Sequence, residues 1–200
     1  EETCCGDPSR RTGREELFQM HAMENIDAMN QYQFKRIVTT CPHCLHVLKN
    51  EYSQLGGSFD VIDYSDLILE ILRDGKVKVQ QKTDKTLTYH DPCYLGRYNK
   101  GFESPRTLLK NASGGNLEEM KNNREHSFCC GAGGGGMWKE EDRGDRINHV
   151  RFKEAESTGA DVLVTGCPFC STMLKDAKQE TESDKLIVKD IAEVVAESLK

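Results

Sequence analysis

The sequence lacks long hydrophobic runs, clusters of basic residues and an amino-terminal secretion signal. No apolar stretch approaches the ~18 residues that a transmembrane helix needs, so no membrane span is expected in this chain. The net charge is −6, and lysine and arginine are spread along the chain, which argues against a nucleic-acid partner. Without a secretion signal we expect a cytoplasmic location, with any membrane attachment lying in parts of the parent protein outside this sequence.

The composition fits a soluble globular protein of one or two domains. Of the 200 residues, 36% are hydrophobic and 30% are charged, which is a globular balance. A chain of this length buries about 70% of its unfolded surface, so its core needs no disulfide support. The sequence begins Glu1-Glu2-Thr3 without an initiator methionine, which suggests a piece of a longer protein or a processed product.

Nine cysteines fall into two sets with similar spacing. The C-terminal set has a single cysteine, a vicinal pair and a C-x-x-C motif, namely Cys93, Cys129, Cys130, Cys167 and Cys170. The N-terminal set repeats this order without the single member, as Cys4, Cys5, Cys41 and Cys44. An odd number of cysteines in a chain without a secretion signal fits a disulfide framework poorly, and their clustering favours metal or redox chemistry.

The two sets belong to an internal duplication. At an offset of about 126 residues, Ile37-Val38-Thr39 aligns with Leu163-Val164-Thr165, and the two C-P-x-C motifs coincide. The Cys-Cys-Gly triplets align with a slip of one residue. A repeat of this length indicates two copies of one structural unit.

Predicted strands and helices alternate along both halves. This order predicts an α/β fold with a mainly parallel sheet and flanking helices in each of two units, residues 1–80 and 81–200. The predicted strands cover residues 34–40, 59–62, 85–90, 125–128, 161–166 and 186–188. The predicted helices cover residues 10–32, 45–54, 64–73, 104–110, 145–157 and 191–199, and another follows Cys170.

Each C-x-x-C motif is expected where a strand ends and a helix begins. Proline suits the first helical turn, because its missing N–H needs no partner there. The helix N-terminus favours thiolate over thiol, and two intervening residues let both sulfurs converge on one centre. The vicinal pair adds two more thiolates. The glycines at 131 and 133–136 permit a close approach of the backbone to a bulky cluster, whose sulfides their N–H groups can reach.

The number of cysteines bears on the kind of metal. Thiolates select zinc, Cu(I) or iron–sulfur centres. The five cysteines of the C-terminal set exceed the four ligands of tetrahedral zinc, which favours iron–sulfur. The four cysteines of the N-terminal set suit zinc or a four-cysteine cluster equally well, and an empty site also stays open.

Two other interpretations of the motifs are weaker. Taken alone, Cys41-Pro42-His43-Cys44 matches an oxidising thiol–disulfide motif in which His43 lowers the pKa of the first thiol. The repeat has Phe169 at the corresponding position, and each copy accompanies a Cys-Cys-Gly triplet. The glycines after Cys130 are not followed by the Gly-Lys-Ser/Thr of a phosphate-binding loop.

Polar residues near the C-terminal set have both functional and structural interpretations. His90 and Asp91 are either a proton-donating pair near a cluster or the source of loop-fixing hydrogen bonds, and the same applies to His126. Arg97 is a candidate for binding an anionic substrate or neutralising cluster charge, alongside a structural role.

The spacing C-x(35)-CCG-x(35)-CxxC resembles the cysteine-rich CCG domain, which characterises the catalytic component of heterodisulfide reductase and many related iron–sulfur oxidoreductases. The segments HDPCYLGR at 90–97, FCCGAGG at 128–134 and TTCPHC at 39–44 strengthen the resemblance. It implies two CCG units in one polypeptide, with the five cysteines of a complete unit holding a [4Fe-4S] cluster of non-cubane type. The C-terminal set would then be cluster ligands, and the N-terminal set four of the five ligands of a truncated unit.

The resemblance implies an iron–sulfur oxidoreductase subunit or domain with one or two [4Fe-4S] clusters, and zinc stays open for the N-terminal unit. One role is a relay between a flavin or dehydrogenase partner and a quinone or ferredoxin. The other is a catalytic cluster of the heterodisulfide reductase kind, where an open iron position accepts a substrate thiolate while a disulfide is cleaved. Expected partners are a flavoprotein, a ferredoxin-like module, and a quinone or disulfide substrate. The alternative from another class is a zinc-stabilised interaction module.

Overall fold

The computed structural model describes residues 3–139 and 144–199, in which short strands alternate with helices. The strands are β1 (Ile37–Thr39), β2 (Val61–Asp63), β3 (Leu87–His90), β4 (Leu117–Glu118), β5 (Val162–Thr165) and β6 (Ile187–Asp190). The α-helices are α1 (Asp7–Arg11), α2 (Glu15–Asn30), α3 (Pro42–His46), α4 (Tyr64–Arg73), α5 (Glu103–Ser113), α6 (Ile147–Glu156), α7 (Pro168–Glu180) and α8 (Ile191–Ser198). Shorter helical turns of π type cover Val47–Glu51 and Tyr94–Tyr98, and those of 3₁₀ type cover Tyr52–Leu55, Arg124–His126 and Gly133–Trp138.

The strands form two parallel sheets. β1 pairs with β2, with Ile37 opposite Val61. The larger sheet has the order β4-β3-β5-β6, and Thr88 of β3 lies opposite Leu163 of β5. The predicted α/β class with parallel sheets and flanking helices is confirmed, and one parallel sheet in each half fits the predicted duplication. The carboxyl ends of β3 and β5 lie at one edge of the larger sheet, which is where such sheets bind ligands.

The larger sheet is covered on both faces, and β5 shows this by alternation. Val162 and Val164 pack with residues of α4, α5 and α8, whereas Leu163 packs with residues of α6 and α7. All four residues of β5 are buried, as expected for a central parallel strand between two helical layers. Because helices pack on both of its faces, β5 has a fixed position, and so does the segment that follows it.

A separate apolar core lies under α2. Phe18, Ala22 and Ile26 are spaced four residues apart and share one buried face of the helix. Val47 and Tyr52, from the helical segment after α3, pack against them. This core holds the N-terminal Cys-Cys-Gly segment against the C-x-x-C segment, because Cys5 packs on the same cluster.

Each C-x-x-C motif begins a helix, as predicted. Cys41 and Cys167 occupy the N-cap positions of α3 and α7, and proline follows at the first turn of each. β2 and β6 are the last strands of the two halves, and each leads directly into a helix that begins with a capping aspartate. Asp63 accepts from the backbone N–H of Ser65 at the start of α4, and Asp190 caps α8 in the same manner.

Two predictions of secondary structure were wrong, and one strand was missed. The strand predicted over 125–128 is replaced by a 3₁₀ turn over Arg124–His126 and an irregular segment, and the carbonyl of Ser127 accepts from Arg97 instead of from a neighbouring strand. The edge strand β4 was not predicted, because it lies in a segment with no strand pattern. The helix predicted over 10–32 is divided at Gly13, whose φ of +83° is in the left-handed region.

The division of the chain at residue 80 stays a prediction. α4 lies before it in sequence and packs into the core of the larger sheet through Tyr64 and Leu69. Among the described residues, no helix is both long enough and apolar enough to cross a membrane.

Candidate metal centres

The C-terminal set assembles at the carboxyl edge of the larger sheet. Cys93 follows β3 and Cys167 follows β5, and these two strands are neighbours. Cys170 lies in the first turn of α7. The loop before the 3₁₀ turn Gly133–Trp138 brings in Cys129 and Cys130. Three different backbone segments therefore supply the five sulfurs.

The five side chains form one continuous series of interacting sulfurs. Cys129 interacts with both Cys93 and Cys130, Cys130 interacts with Cys170, and Cys170 interacts with Cys167. All five are free cysteines. The three sulfurs at the inner end of this series, on Cys130, Cys167 and Cys170, belong to buried residues.

Contacts within this series shift the sulfur pKa values in opposite directions. Hydrogen bonds from Cys130 and Cys93 lower the pKa of Cys129, and the N–H of Gly131 donates to its Sγ at 3.3 Å. A hydrogen bond to Cys129 raises the pKa of Cys93, and hydrogen bonds to Cys130 and Cys167 raise the pKa of Cys170. Close thiolates repel one another, so these sulfurs cannot all ionise without a cation. Such a donor set fits a metal centre, since metal ions bind the deprotonated form.

The N-terminal set forms a shorter series of the same order. Cys4 interacts with Cys5, the Sγ atoms of Cys5 and Cys44 are 3.2 Å apart, and Cys44 interacts with Cys41. The N–H of Gly6 lies 3.5 Å from Cys4 Sγ, which repeats the contact of the glycine N–H with the first cysteine of the C-terminal pair. The order of contacts in the N-terminal set therefore matches the order among the last four cysteines of the C-terminal set.

The two sets differ where the single cysteine enters. Cys129 contacts Cys93, but its counterpart Cys4 is exposed. All nine cysteines already belong to one of the two sets, so none takes the place of Cys93 beside Cys4. A groove with a volume of about 690 Å³ runs beside this set, lined by Cys5, Cys44 and apolar side chains such as Met29.

The two sets approach each other through the middle residues of their C-x-x-C motifs. The His43 ring stacks on the Phe169 ring at 4.8 Å between centroids, and it contacts the Tyr94 ring at 4.2 Å. Tyr94 follows Cys93 directly, so residues of both sets contribute to this cluster of rings. His43 Nδ1 also lies 3.1 Å from Asp7 Oδ2, beside the N-terminal triplet.

The contacts of Asp91 are those expected from its structural interpretation. Its carboxylate oxygens accept from Nη1 and Nη2 of Arg106 at 2.7 and 2.8 Å, and one of them accepts from the N–H of Arg124 at 2.8 Å. Arg97 also has a structural contact, because its Nη1 donates to the carbonyl of Ser127 at 2.6 Å. His126 is exposed.

Two buried arginines near the C-terminal set were missed by the sequence analysis. Arg106 is 1% exposed and Arg151 is fully buried. Arg151 lies on α6, and its Nε donates to Nδ1 of His90 at 2.9 Å. Arginine is mostly exposed in proteins, and nothing in the local pattern marks these two as different from surface arginines.

Comparisons with known proteins place the cysteine sets in context. Residues 1–49 and 87–175 match the family model of the cysteine-rich domain CCG. The chain is 39% identical over its whole length to the EtfAB:quinone oxidoreductase of Syntrophomonas wolfei, covering 29% of that protein. Over 97% of its length it is 42% identical to the probable iron-sulfur-binding oxidoreductase FadF of Bacillus subtilis, covering 28% of it.

A third relative comes from an archaeon. The chain is 35% identical over its whole length to one component of the dihydromethanophenazine:CoB–CoM heterodisulfide reductase of Methanosarcina barkeri, and it covers 50% of that polypeptide. The chain therefore spans half or less of each of these relatives.

Proposed function

The chain belongs to the CCG cysteine-rich domain family, and we propose that it carries electrons through iron–sulfur clusters bound by its two cysteine sets. The observation that supports this most directly is the convergence of five sulfurs from three backbone segments into one connected group. Bound there, a cluster would supply one-electron chemistry, with a potential that depends on hydrogen bonds to sulfur and on exposure to solvent.

The C-terminal set would hold a [4Fe-4S] cluster of non-cubane type, with Cys93, Cys129, Cys130, Cys167 and Cys170 as ligands. The five donors exceed the four that tetrahedral zinc takes. The buried position of Cys130, Cys167 and Cys170 would exclude water from one side of the cluster. The N–H of Gly131, 3.3 Å from Cys129 Sγ, would stabilise a thiolate ligand.

The N-terminal set, Cys4, Cys5, Cys41 and Cys44, would hold a second centre. Its sulfur contacts repeat those of the C-terminal set, which supports a second iron–sulfur cluster. Zinc is the alternative here, because four cysteines complete a tetrahedral site.

We propose a relay role in preference to catalysis at the cluster. The stacked rings of His43 and Phe169 join the two C-x-x-C motifs, and a relay needs two centres that are near each other. The partners would be a flavoprotein or ferredoxin-like module on one side and a quinone or disulfide-reducing centre on the other. Both kinds of acceptor occur in the names of relatives, a quinone in the name of one and a heterodisulfide in the name of another. We further propose that this segment works in the cytoplasm, with any membrane attachment elsewhere in the parent protein.

The test is the amount of iron, acid-labile sulfide and zinc per chain in anaerobically purified protein, with EPR spectra of the same sample. About four iron and four sulfide per chain would indicate one cluster, and about eight of each would indicate two. A colourless protein with zinc and no iron, even after reconstitution with iron and sulfide, would contradict the proposal in favour of a zinc-stabilised interaction module.

A further inference from the structure

His90 has an unpaired ring nitrogen and lies beside two sulfurs of the C-terminal set. The residue ends β3 and is 1% exposed. One of its ring nitrogens and the Sγ atoms of Cys130 and Cys170 all lie within 4.8 Å of one another. Nδ1 is engaged by Arg151, whereas Nε2 is buried and has no hydrogen-bond partner within the part of the chain that the structure describes. A buried polar atom without a partner is energetically unfavourable, so a bound group that accepts from this nitrogen would stabilise the site.

Arg151 decides which nitrogen of His90 carries the proton. The guanidinium has only N–H donors and stays charged in proteins. Because Arg151 Nε donates to His90 Nδ1 at 2.9 Å, Nδ1 must offer its lone pair. In the neutral ring the proton then resides on Nε2. Burial and the charge of Arg151 both lower the pKa of His90 well below its ordinary value, in agreement with a neutral ring.

Arg151 is itself held in place from several sides. Its Nη1 donates to the carbonyl of Asn122 at 2.9 Å and to Glu154 Oε2 at 2.6 Å. Its Nη2 lies 3.3 Å from Ser127 Oγ. With all three nitrogens engaged and the side chain fully buried, the guanidinium cannot turn away from His90.

We propose that His90 donates its Nε2–H to a sulfur of the C-terminal centre and that Arg151 holds it in this tautomer. The proposal rests on the proposed function, in which these cysteines bind an iron–sulfur cluster. A role of His90 as an iron ligand is disfavoured by the same geometry. Ligation through Nε2 would require its lone pair and move the proton to Nδ1, where two N–H groups would face each other.

A hydrogen bond to cluster sulfur has a defined electrochemical effect. Reduction adds negative charge to the cluster and its sulfurs, and an N–H donor stabilises the more negative state. Hydrogen bonds to sulfur therefore raise the reduction potential. His90 would therefore raise the reduction potential of the C-terminal centre, and Arg151, which acts through His90, would be the positioning residue.

The first test is pulsed EPR of the reduced, cluster-loaded protein labelled with ¹⁵N-histidine. The expected result is a weak ¹⁵N coupling, as transmitted through a hydrogen bond, that disappears in His90→Phe. A strong coupling of a directly bound nitrogen would overturn the proposal, as would the absence of any histidine coupling in the wild-type protein. If His90→Phe fails to fold, His90→Gln serves for the same comparison, because the coupling should then come from the glutamine and no longer from ¹⁵N-histidine.

The second test is an EPR-monitored redox titration of the same variants. His90→Phe should retain its iron and sulfide but have a lower reduction potential. For a one-electron couple, a tenfold change in the reduction equilibrium corresponds to about 59 mV. His90→Gln keeps a side-chain N–H, so its reduction potential should lie between those of wild type and His90→Phe. The matched control is His126→Phe, an exposed histidine of the same region, which should leave the potential unchanged.

The outcomes separate this proposal from the proposed function. A wild-type protein that binds no iron would overturn both. A cluster-loaded protein whose potential is the same in wild type and His90→Phe would overturn only the role of His90.

Discussion

The ring of His43 lies against the ring of Phe169, with centroids 4.8 Å apart and planes inclined by 24°. The two residues occupy the same position in the two C-P-x-C motifs, so the repeat contacts itself at equivalent points. Each lies directly before the second cysteine of its motif. The duplication thus produces two cysteine sets that meet across a pair of aromatic rings.

This ring contact should contribute to stability. In His43→Ala, loss of the contacts with Phe169 and Tyr94 should lower the free energy of unfolding by about 1–3 kcal/mol. His43→Phe is the matched control, because it retains an aromatic ring and should lose less. Urea unfolding of the two variants measures the difference, and an alanine variant as stable as wild type would contradict the role of the ring.

The two cysteine sets should lose their metal separately. Cys129 sits between Cys93 and Cys130 in the series of sulfurs, so Cys129→Ser should remove or convert the C-terminal cluster. The EPR signal of the N-terminal centre should remain, because its four sulfurs form their own group. Iron analysis and EPR of the variant test this.

The matched variant of that experiment is Cys4→Ser, the counterpart in the N-terminal set. It should spare the C-terminal signal. Loss of both signals in either variant would show that the two halves do not assemble independently.

Asp91 should be needed for stability through Arg106. Both side chains are 2% exposed, and they form a paired contact through two oxygens and two nitrogens. Asp91→Asn removes the charge but keeps the size, and it should cost about 3 kcal/mol because it leaves a buried arginine with less compensation. Denaturant unfolding gives the value.

The control for this pair is Glu103→Gln, which breaks the exposed contact with Arg124. Exposed ion pairs contribute little, so this variant should unfold as wild type does. Equal effects of the two substitutions would contradict the assignment of Asp91 as a buried structural residue.

The stability of the protein should fall as the pH rises through the titration of Asp63. Burial raises the pKa of this carboxyl to about 6, with the charges of Asp66 and Asp190 acting in the same direction. The folded state therefore holds a proton that the unfolded state releases at its ordinary pKa near 3.9. The resulting stabilisation is complete below about pH 4 and is lost as the pH rises through about 6.

Asp63→Asn should remove this dependence. Asparagine caps helices as well as aspartate does, and it cannot ionise. The variant should match wild type near pH 4 and exceed it by about 2–3 kcal/mol at pH 7. Urea unfolding at several pH values tests this, and parallel curves for the two proteins would contradict it.

Much of the architecture could be predicted from local patterns. The strand–helix alternation, the duplication and the start of a helix at each C-P-x-C motif depend on residues close together in sequence. Prediction failed at residues 125–128, where the backbone satisfies its hydrogen bonds through Arg97 and tight turns rather than through a strand partner. A strand pattern of three or four residues cannot reveal whether a neighbouring strand is present.

The sequence by itself determined which residues are chemically available: nine cysteines in two sets, their spacing, and the glycines that allow the backbone close to them. Only the tertiary structure decided how they connect. Arg151 meets His90 across 61 residues, and His43 meets Phe169 across the whole repeat. Contacts of this range depend on the packing of strands and helices from both halves, because no local pattern records which buried side chain a folded chain will bring against another.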